Sequence, residues 1–193
     1  MTTQVVWFKR DLRIRDHWPL AGACRAGPVL PLYIIEPEYW QQPDSSARQW
    51  AFIAESLRDL RRQLARLGLS LWVVEGNALE VLAQLHQRLG GFTLRSHQEY
   101  GGNWTYQRDL AIKRWCDACE VVWQETALFG VIRPCVDRDD WAEHWHDFML
   151  SPQATLPATC EAAAPSPVWP DLNVPRGEGR EPCPGRQRGG SET

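Results

Sequence analysis

The chain has 193 residues, 44% hydrophobic and 23% charged, which suits one globular domain with a core and some length to spare. Its formal net charge of −3 provides no basic field, which argues against nucleic-acid binding by this chain alone. No apolar stretch has the length of a signal peptide or a membrane span, and six cysteines are too sparse for a secreted disulfide scaffold. We therefore expect a cytoplasmic monomer with reduced thiols and no membrane contact.

Apolar runs alternate with amphipathic stretches over the first two-thirds of the chain. The clearest helix lies in PDSSARQWAFIAESLRDLRRQLARLGL, where apolar side chains three and four residues apart form one face, Asp44 or Ser45 can cap the start and Gly68 can end it. The other predicted helices cover 17–25, capped by Asp16, 78–89 and 103–119, and the predicted strands cover 4–8, 29–35, 69–76, 92–96 and 121–125. Such alternation predicts a doubly wound α/β domain with a five-stranded parallel sheet over residues 1–135.

The remaining residues follow a different pattern. The stretch DRDDWAEHWHDFML predicts one more helix within 136–150, with Trp141, Trp145 and Met149 spaced by four. From Ser151 onward the chain is rich in Pro and Gly and has no periodicity, so residues 151–193 are predicted to be a linker or a disordered tail.

Ligands of doubly wound sheets bind outside the carboxyl ends of the strands, where the strand order reverses. If the first and fourth strands flank that reversal, the loops 9–11 and 96–106 form its mouth, with Glu36 and Arg48 nearby. The sequence has no GxGxxG turn after the first strand, no phosphate-binding GxxxxGK[ST] loop and no GxSxG elbow. Charged and amide side chains beside Tyr and Trp can bind a heteroaromatic ring without reacting with it.

The charges of KRDLRIRD allow a second interpretation, a solvated turn whose charges pair with one another. Leu12 and Ile14 alternate with these charges, which instead suggests a segment with one face covered, for example by a missing partner domain.

Cys116 and Cys119 form a CxxC motif, which occurs in thiol redox enzymes and zinc sites. The motif falls at the end of a predicted helix, where no dipole would activate its first thiol. His144 and His146 are two residues apart, unlike the usual zinc-finger spacing. We therefore expect neither redox chemistry nor a metal site.

The segments VVWFKRDLRIRDHWPLAGA, PVLPLYIIEPEYW, SARQWAFIAESLRDLRRQL and GNALEVL follow one another in this order. Together they resemble the N-terminal domain of the DNA photolyase and cryptochrome family, whose hallmark is an aromatic pair followed by two basic residues and Asp-Leu-Arg. Here that hallmark runs from Trp7 to Arg13, with Lys9 where Arg is more usual. SHQEYGGNWTYQRD resembles the segment after the fourth strand in one bacterial branch, with Gln98 where a second acidic residue is expected.

The resemblance implies a Rossmann-like domain that binds a light-harvesting antenna: a folate, a deazaflavin or a flavin mononucleotide. It also implies a following helical domain, absent from this chain, that binds FAD and the DNA lesion and splits pyrimidine dimers with blue light. PCPGRQRGGSET resembles the end of the linker between the two, so we expect a fragment, a truncated product or a stand-alone antenna domain. The residues carried over as antenna contacts are Arg10, Asp11, Glu36, Arg48 and Glu99. No FAD-binding or catalytic residue can be carried over, because the helical domain that holds them in the family has no counterpart in this sequence.

Two other interpretations stay open on the sequence. One is a nucleotide-binding signalling module without light chemistry, and the other is a non-functional remnant of a larger protein. A pocket that prefers adenine nucleotides would favour the first, whereas uptake of flavin-like rings would favour an antenna domain.

Overall fold

The computed structural model describes residues 1–131, 141–156 and 158–163. Its strands are β1 (Gln4–Phe8), β2 (Val29–Ile35), β3 (Trp72–Glu75), β4 (Thr93–His97) and β5 (Val122–Thr126). They form one parallel sheet in the order β3-β2-β1-β4-β5. This confirms the predicted five-stranded doubly wound sheet and places the reversal of strand order between β1 and β4.

The helices are α1 (Trp18–Ala26), α2 (Pro37–Trp40), α3 (Ala47–Arg66), α4 (Ala78–Leu89), α5 (Asn103–Ala118) and α6 (Trp141–Leu150). Alternate side chains of the strands enter two separate cores, because successive residues of a strand point to opposite faces of the sheet. On one face Val6 and Phe8 pack against α1 and α3, and on the other Val5 and Trp7 pack against α4 and α5. Both faces are therefore covered, as the continuous apolar strands predicted.

Two predicted helix starts are wrong. His17, not Asp16, caps α1, because its Nδ1 accepts a hydrogen bond from the backbone N–H of Leu20. The long helix begins one or two residues later than the predicted caps imply: Ser46 caps α3 and forms a reciprocal capping box with Gln49, which the competing Asp44 and Ser45 obscured in the sequence. Helix α2, a single turn, was not predicted.

Residues 158–163 lie beside α1 and the start of β2. Val29 donates its N–H to the carbonyl of Glu161 at 2.8 Å, and Ala163 donates to the carbonyl of Val29 at 2.9 Å. This short parallel pairing brings Cys160 to a Cα–Cα distance of 5.2 Å from Cys24, and the two form a disulfide. The expectation of reduced thiols is therefore wrong for this pair, which a separation of 136 residues hid in the sequence.

Other contacts join the same region to the loop that follows β1. The Asp16 carboxylate accepts a hydrogen bond from the N–H of Ala154 at 2.9 Å. Leu12 is buried, and Ile14 packs against the same core as Leu156. The cover over this apolar face thus comes from the chain itself rather than from a missing partner domain. The rest of the predicted tail, 164–193, and residues 136–140 of the predicted helix lie outside the described residues, and the boundaries at 135 and 150 stay predictions.

No helix in the described ranges combines the length and the apolar composition that a membrane crossing requires. Cys116 and Cys119 are free thiols at the end of α5. Burial raises the pKa of Cys116 to about 12, the opposite of an activated redox thiol.

Candidate ligand-binding site

A cavity of about 330 Å³, here called the ring cavity, opens at the carboxyl ends of β1 and β2. This is the side of the sheet, next to the β1/β4 reversal, where the topology predicts a ligand. Helix α3 and the start of α5 contribute the outer walls. The apolar walls are Trp7, Phe8, Tyr33, Ile34, Tyr39, Trp40, Phe52 and Ile53, and the polar side chains are Lys9, Arg10, Glu36, Arg48, Gln49, Glu99, Thr105 and Arg108.

Arg108 of α5 is the centre of the polar wall. Its guanidinium donates to Glu36 at 2.5 Å, to Glu99, and to Asp109 at 2.9 Å. The side chain is only 10% exposed, and its guanidinium carbon lies 4.8 Å from the centre of the Trp7 ring. Facing carboxylates on several sides raise its pKa although burial alone would lower it. Arg108 is therefore a fixed cation that holds two acidic side chains from different loops at the cavity.

Arg10 holds the other side of the same cluster. Its Nε donates to Glu99 at 2.8 Å, and a terminal nitrogen donates to the Tyr39 hydroxyl at 2.8 Å. Glu99 thus accepts from two arginines and is almost fully buried. Gly101 lies beside this cluster, and a Cβ there would clash with the Thr105 hydroxyl oxygen. A side chain at this position would therefore displace the Thr105 hydroxyl from the place where the loop after β4 meets α5.

Lys9 contacts a different pair of acidic side chains. Its ammonium lies 3.2 Å from Asp109 and 3.6 Å from Glu125. It also lies 4.9 Å from the ring centre of Trp7, so its charge is surrounded by carboxylates and aromatic faces. Arg108 therefore links Lys9, through Asp109, and Arg10, through Glu99, into one network, and the third charged residue of this loop belongs to another.

The third of these residues, Asp11, lies outside the ring cavity. Its carboxylate accepts the N–H of Lys9 at 2.9 Å and contacts His97 Nδ1 at 2.5 Å and His17 Nε2 at 2.9 Å. Burial alone would raise the pKa of Asp11, but the two imidazoles hold it well below its ordinary value. Asp11 therefore fixes the loop after β1 from inside, a position that the sequence did not distinguish from a ligand contact.

Asp11, His17 and His97 present three possible metal-ligating atoms within 4.8 Å of one another. His17 Nδ1 accepts from the N–H of Leu20, so the proton of the neutral ring sits on Nε2. A protonated Nε2 has no lone pair to give a metal ion. We therefore interpret the cluster as a buried hydrogen-bonded support.

Glu36 is the carboxyl group of the ring cavity whose protonation changes near neutral pH. Burial raises its pKa to about 7, with Arg108 opposing the shift and Glu99 adding to it. At neutral pH this side chain can therefore either accept a hydrogen bond from a ligand or donate one.

The structure brings four of the five predicted contacts to one cavity: Arg10, Glu36, Arg48 and Glu99. Sequence reasoning missed Arg108, although it lies four residues after Trp104 and so on the same face of α5. Gln98, where an acidic residue was expected, accepts a hydrogen bond from the Tyr100 hydroxyl and is not among the residues that line the cavity.

A second cavity of about 440 Å³, here called the polar cavity, adjoins the first. Tyr39 and Thr105 line both. Its other lining residues are Gln42, Pro43, Asp44, Gly102, Asn103, Trp104 and Gln107. The Tyr39 ring lies between two indoles, 5.1 Å from the centre of Trp40 and 5.8 Å from that of Trp104, and so forms an aromatic wall between the cavities.

The family model for DNA photolyase matches residues 4–131. A deoxyribodipyrimidine photo-lyase of Salmonella typhimurium is 48% identical over 120 residues, which are 59% of this chain and 25% of that protein. A cryptochrome DASH of Solanum lycopersicum is 31% identical over 102 residues, which are 49% of this chain and 18% of that one. The chain thus spans about a quarter or less of these relatives' length.

Solved structures agree with this assignment of fold. A bacterial class III photolyase from Agrobacterium tumefaciens superposes with a TM-score of 0.69 at 22% identity, covering 88% of this chain and 36% of that one. An archaeal photolyase from Sulfolobus tokodaii, described with two FAD molecules and an implied novel light-harvesting cofactor, gives 0.64 at 20% identity over 83% of this chain and 37% of that one.

Proposed function

Because the chain belongs to the DNA photolyase family, we propose that its ring cavity binds a light-harvesting antenna pigment. The observation that carries the proposal is the cavity itself: about 330 Å³, at the strand-order reversal, with aromatic walls and one charged wall. A volume of this order suits one small fused-ring ligand. The light-harvesting cofactor named for the Sulfolobus tokodaii photolyase supports the same assignment.

The walls fit a flat heteroaromatic ring better than an aliphatic ligand. Trp40, Phe52 and Ile53 offer apolar surface, and aromatic side chains favour stacking on a ring. Glu36 and Glu99 offer acceptors for ring N–H groups, and Arg10 and Arg108 offer donors for ring carbonyls. Because their ion pairs already fix these side chains, little further ordering is needed on binding. The role of this domain would be to absorb light, not to carry out bond chemistry.

The proposal extends to the activity of a longer protein that would contain this domain. By its family, such a protein would use reduced FAD and blue light to split pyrimidine dimers in DNA, or would act as a blue-light receptor. We place FAD and DNA binding in the part of the relatives that this chain does not match. The cytoplasmic location and the monomeric state expected from the sequence are retained in the proposal; pigment binding depends on neither.

The test is a titration of the purified chain with flavin mononucleotide, a deazaflavin and a methenyl-folate, followed by ligand fluorescence and absorption. We expect saturable uptake of one ring with a shifted absorption band. AMP serves as the comparison ligand: exclusive uptake of AMP would indicate a nucleotide-binding module instead.

Two exposed phenylalanines provide matched variants. Phe52 is 43% exposed and lines the ring cavity, whereas Phe129 is 54% exposed and is not among the residues that line it. Phe52→Ala should weaken pigment binding about tenfold, the effect of losing roughly half of one buried aromatic contact, and Phe129→Ala should not. No saturable uptake of any of the three pigments by the folded chain would refute the proposal.

A further inference from the structure

The polar cavity differs from the ring cavity in its charge. Of the residues that line it, Asp44 alone carries a charge, and no Lys, Arg or His is among them. The remaining polar groups are the amides of Gln42, Asn103 and Gln107 and the hydroxyls of Thr105 and Tyr39. An anionic group in this space would therefore lie near a carboxylate without a cation from the cavity wall to offset it.

Its amides keep hydrogen-bonding capacity. Gln107 Nε2 donates to Asn103 Oδ1 at 3.4 Å, and Gln42 Nε2 donates to the carbonyl of Glu38 at 3.1 Å. Among the hydrogen bonds between described residues, none uses the side-chain oxygen of Gln42 or Gln107 or the Asn103 amide nitrogen. Acceptors and a donor thus line the cavity together, which is what a chain of hydroxyl groups requires because each hydroxyl both donates and accepts.

The cations near the ligand belong to the ring cavity. Lys9, Arg10 and Arg108 are each in an ion pair with a carboxylate, and Arg48 lies on the first turn of α3 at the ring-cavity wall. None of the four lines the polar cavity. Tyr39 and Thr105 line both cavities, so the two cavities are neighbours, and a substituent of the ring would have to pass beside these two side chains to reach the polar cavity.

We infer that the polar cavity binds an uncharged polyhydroxyl side chain of the pigment and disfavours a phosphate at its end. This rests on the proposed function, because it assumes that the ring occupies the ring cavity. The pigment class becomes a fused heteroaromatic ring with a neutral hydroxylated chain.

Three commercial flavins test this, because they share one ring and differ only in the chain. Lumiflavin has a methyl group, riboflavin a neutral tetrahydroxy chain, and flavin mononucleotide the same chain with a phosphate. We expect riboflavin to bind about tenfold tighter than lumiflavin, the effect of roughly one net hydrogen bond. Flavin mononucleotide should bind about fivefold more weakly than riboflavin at low ionic strength, the effect of one solvent-exposed like charge a few ångströms away.

Variants assign these differences to the cavity. Asp44→Asn removes the carboxylate and should bring flavin mononucleotide to within about twofold of riboflavin, since the like charge is gone. Asp117→Asn removes the same charge from an exposed position near the other end of α5 and should leave the ratio unchanged. Gln107→Phe fills the polar cavity and should narrow the gap between riboflavin and lumiflavin.

The outcomes separate the two proposals. Equal binding of riboflavin and lumiflavin would overturn the inference and leave antenna binding standing. Tighter binding of flavin mononucleotide than of riboflavin would also overturn the inference and leave antenna binding standing. If Arg48→Gln then removed the advantage of flavin mononucleotide, the phosphate would lie at the ring-cavity wall. If none of the three flavins bound while a methenyl-folate did, the inference would fail alone; if no pigment bound at all, both would fail.

Discussion

Replacing Arg108 with Met should destabilise the domain in a pH-dependent way. The substitution keeps the apolar stem over Trp7 but removes the charge that pairs with Glu36 and Glu99, whose side chains are 9% and 4% exposed. Removing one partner of a buried ion pair typically costs about 3–5 kcal/mol, because the other charge stays buried. Arg10 still pairs with Glu99, so we expect a loss near 3 kcal/mol at pH 8.

The pH dependence comes mainly from Glu36. Its pKa is about 7 in the folded chain against an ordinary value of 4.5, so the folded state binds its proton more tightly and loses stability as pH rises between these values. Without Arg108 the pKa of Glu36 rises further, which extends that loss to pH 8. One additional pH unit corresponds to about 1.4 kcal/mol, so the deficit should be about 1–2 kcal/mol larger at pH 8 than at pH 5.

The assay is urea unfolding followed by tryptophan fluorescence at pH 5 and pH 8. Arg62→Met is the control, since the Arg62 side chain is 73% exposed and its partner Asp59, which is buried, keeps a hydrogen bond from Gln63; the loss should be under about 1 kcal/mol. Arg108→Lys keeps the charge and should recover most of the pH-dependent part. A deficit for Arg108→Met that was equal at both pH values, or no larger than that of the control, would refute this account of the cluster.

Three further predictions use the same unfolding measurement. Glu36→Gln should flatten the fall in stability between pH 5 and pH 8, because it removes the group whose raised pKa causes it; an unchanged slope would assign the fall to another group. Asp11→Asn should lower the free energy of unfolding by about 2–4 kcal/mol at pH 7, because the buried contacts of the carboxylate are lost. It should also reduce the loss of stability below pH 4, since a carboxyl group with a lowered pKa stabilises the fold only while it is ionised; normal stability of the variant would contradict the supporting role of Asp11. Cys24→Ser and chemical reduction should each destabilise the fold by about 3–5 kcal/mol, as expected for a cross-link that closes a loop of this length. The control Cys116→Ser should lose as much stability on reduction as the unchanged protein does, because Cys116 is a free thiol. Equal stability of the oxidised and reduced protein would show that the cross-link contributes nothing.

Local patterns predicted the sheet because its signals are continuous and short in range. The runs at Gln4–Phe8, Val29–Ile35 and Ala78–Leu89 were predicted to the residue, since apolar strands and a leucine-phased helix bounded by Asn77 and Gly90 leave few alternatives. The reversal of strand order at β1 and β4 followed from the expected topology and located the site.

What the sequence could not supply was the partner of each charge. Lys9, Arg10 and Asp11 are consecutive, yet each contacts a different partner: Asp109, Glu99 and His97, respectively. The partner of each side chain is decided only when β1 pairs with β4 and α5 packs nearby. For the same reason the sequence did not show that Asp11 lies outside the ring cavity, and Cys24 was expected to be a free thiol.

The disulfide and the short pairing at Val29 also determine how the domain responds to tension. Any pull on the chain beyond Ala163 is taken first by Cys160, which is covalently attached to α1, and by the hydrogen bonds at the start of β2. The ring cavity lies at the other end of β2, about 20 Å away for a seven-residue strand. A force on the chain beyond Ala163 would therefore act on α1 and on the amino end of β2, and the ring cavity at the far end of β2 should keep its shape.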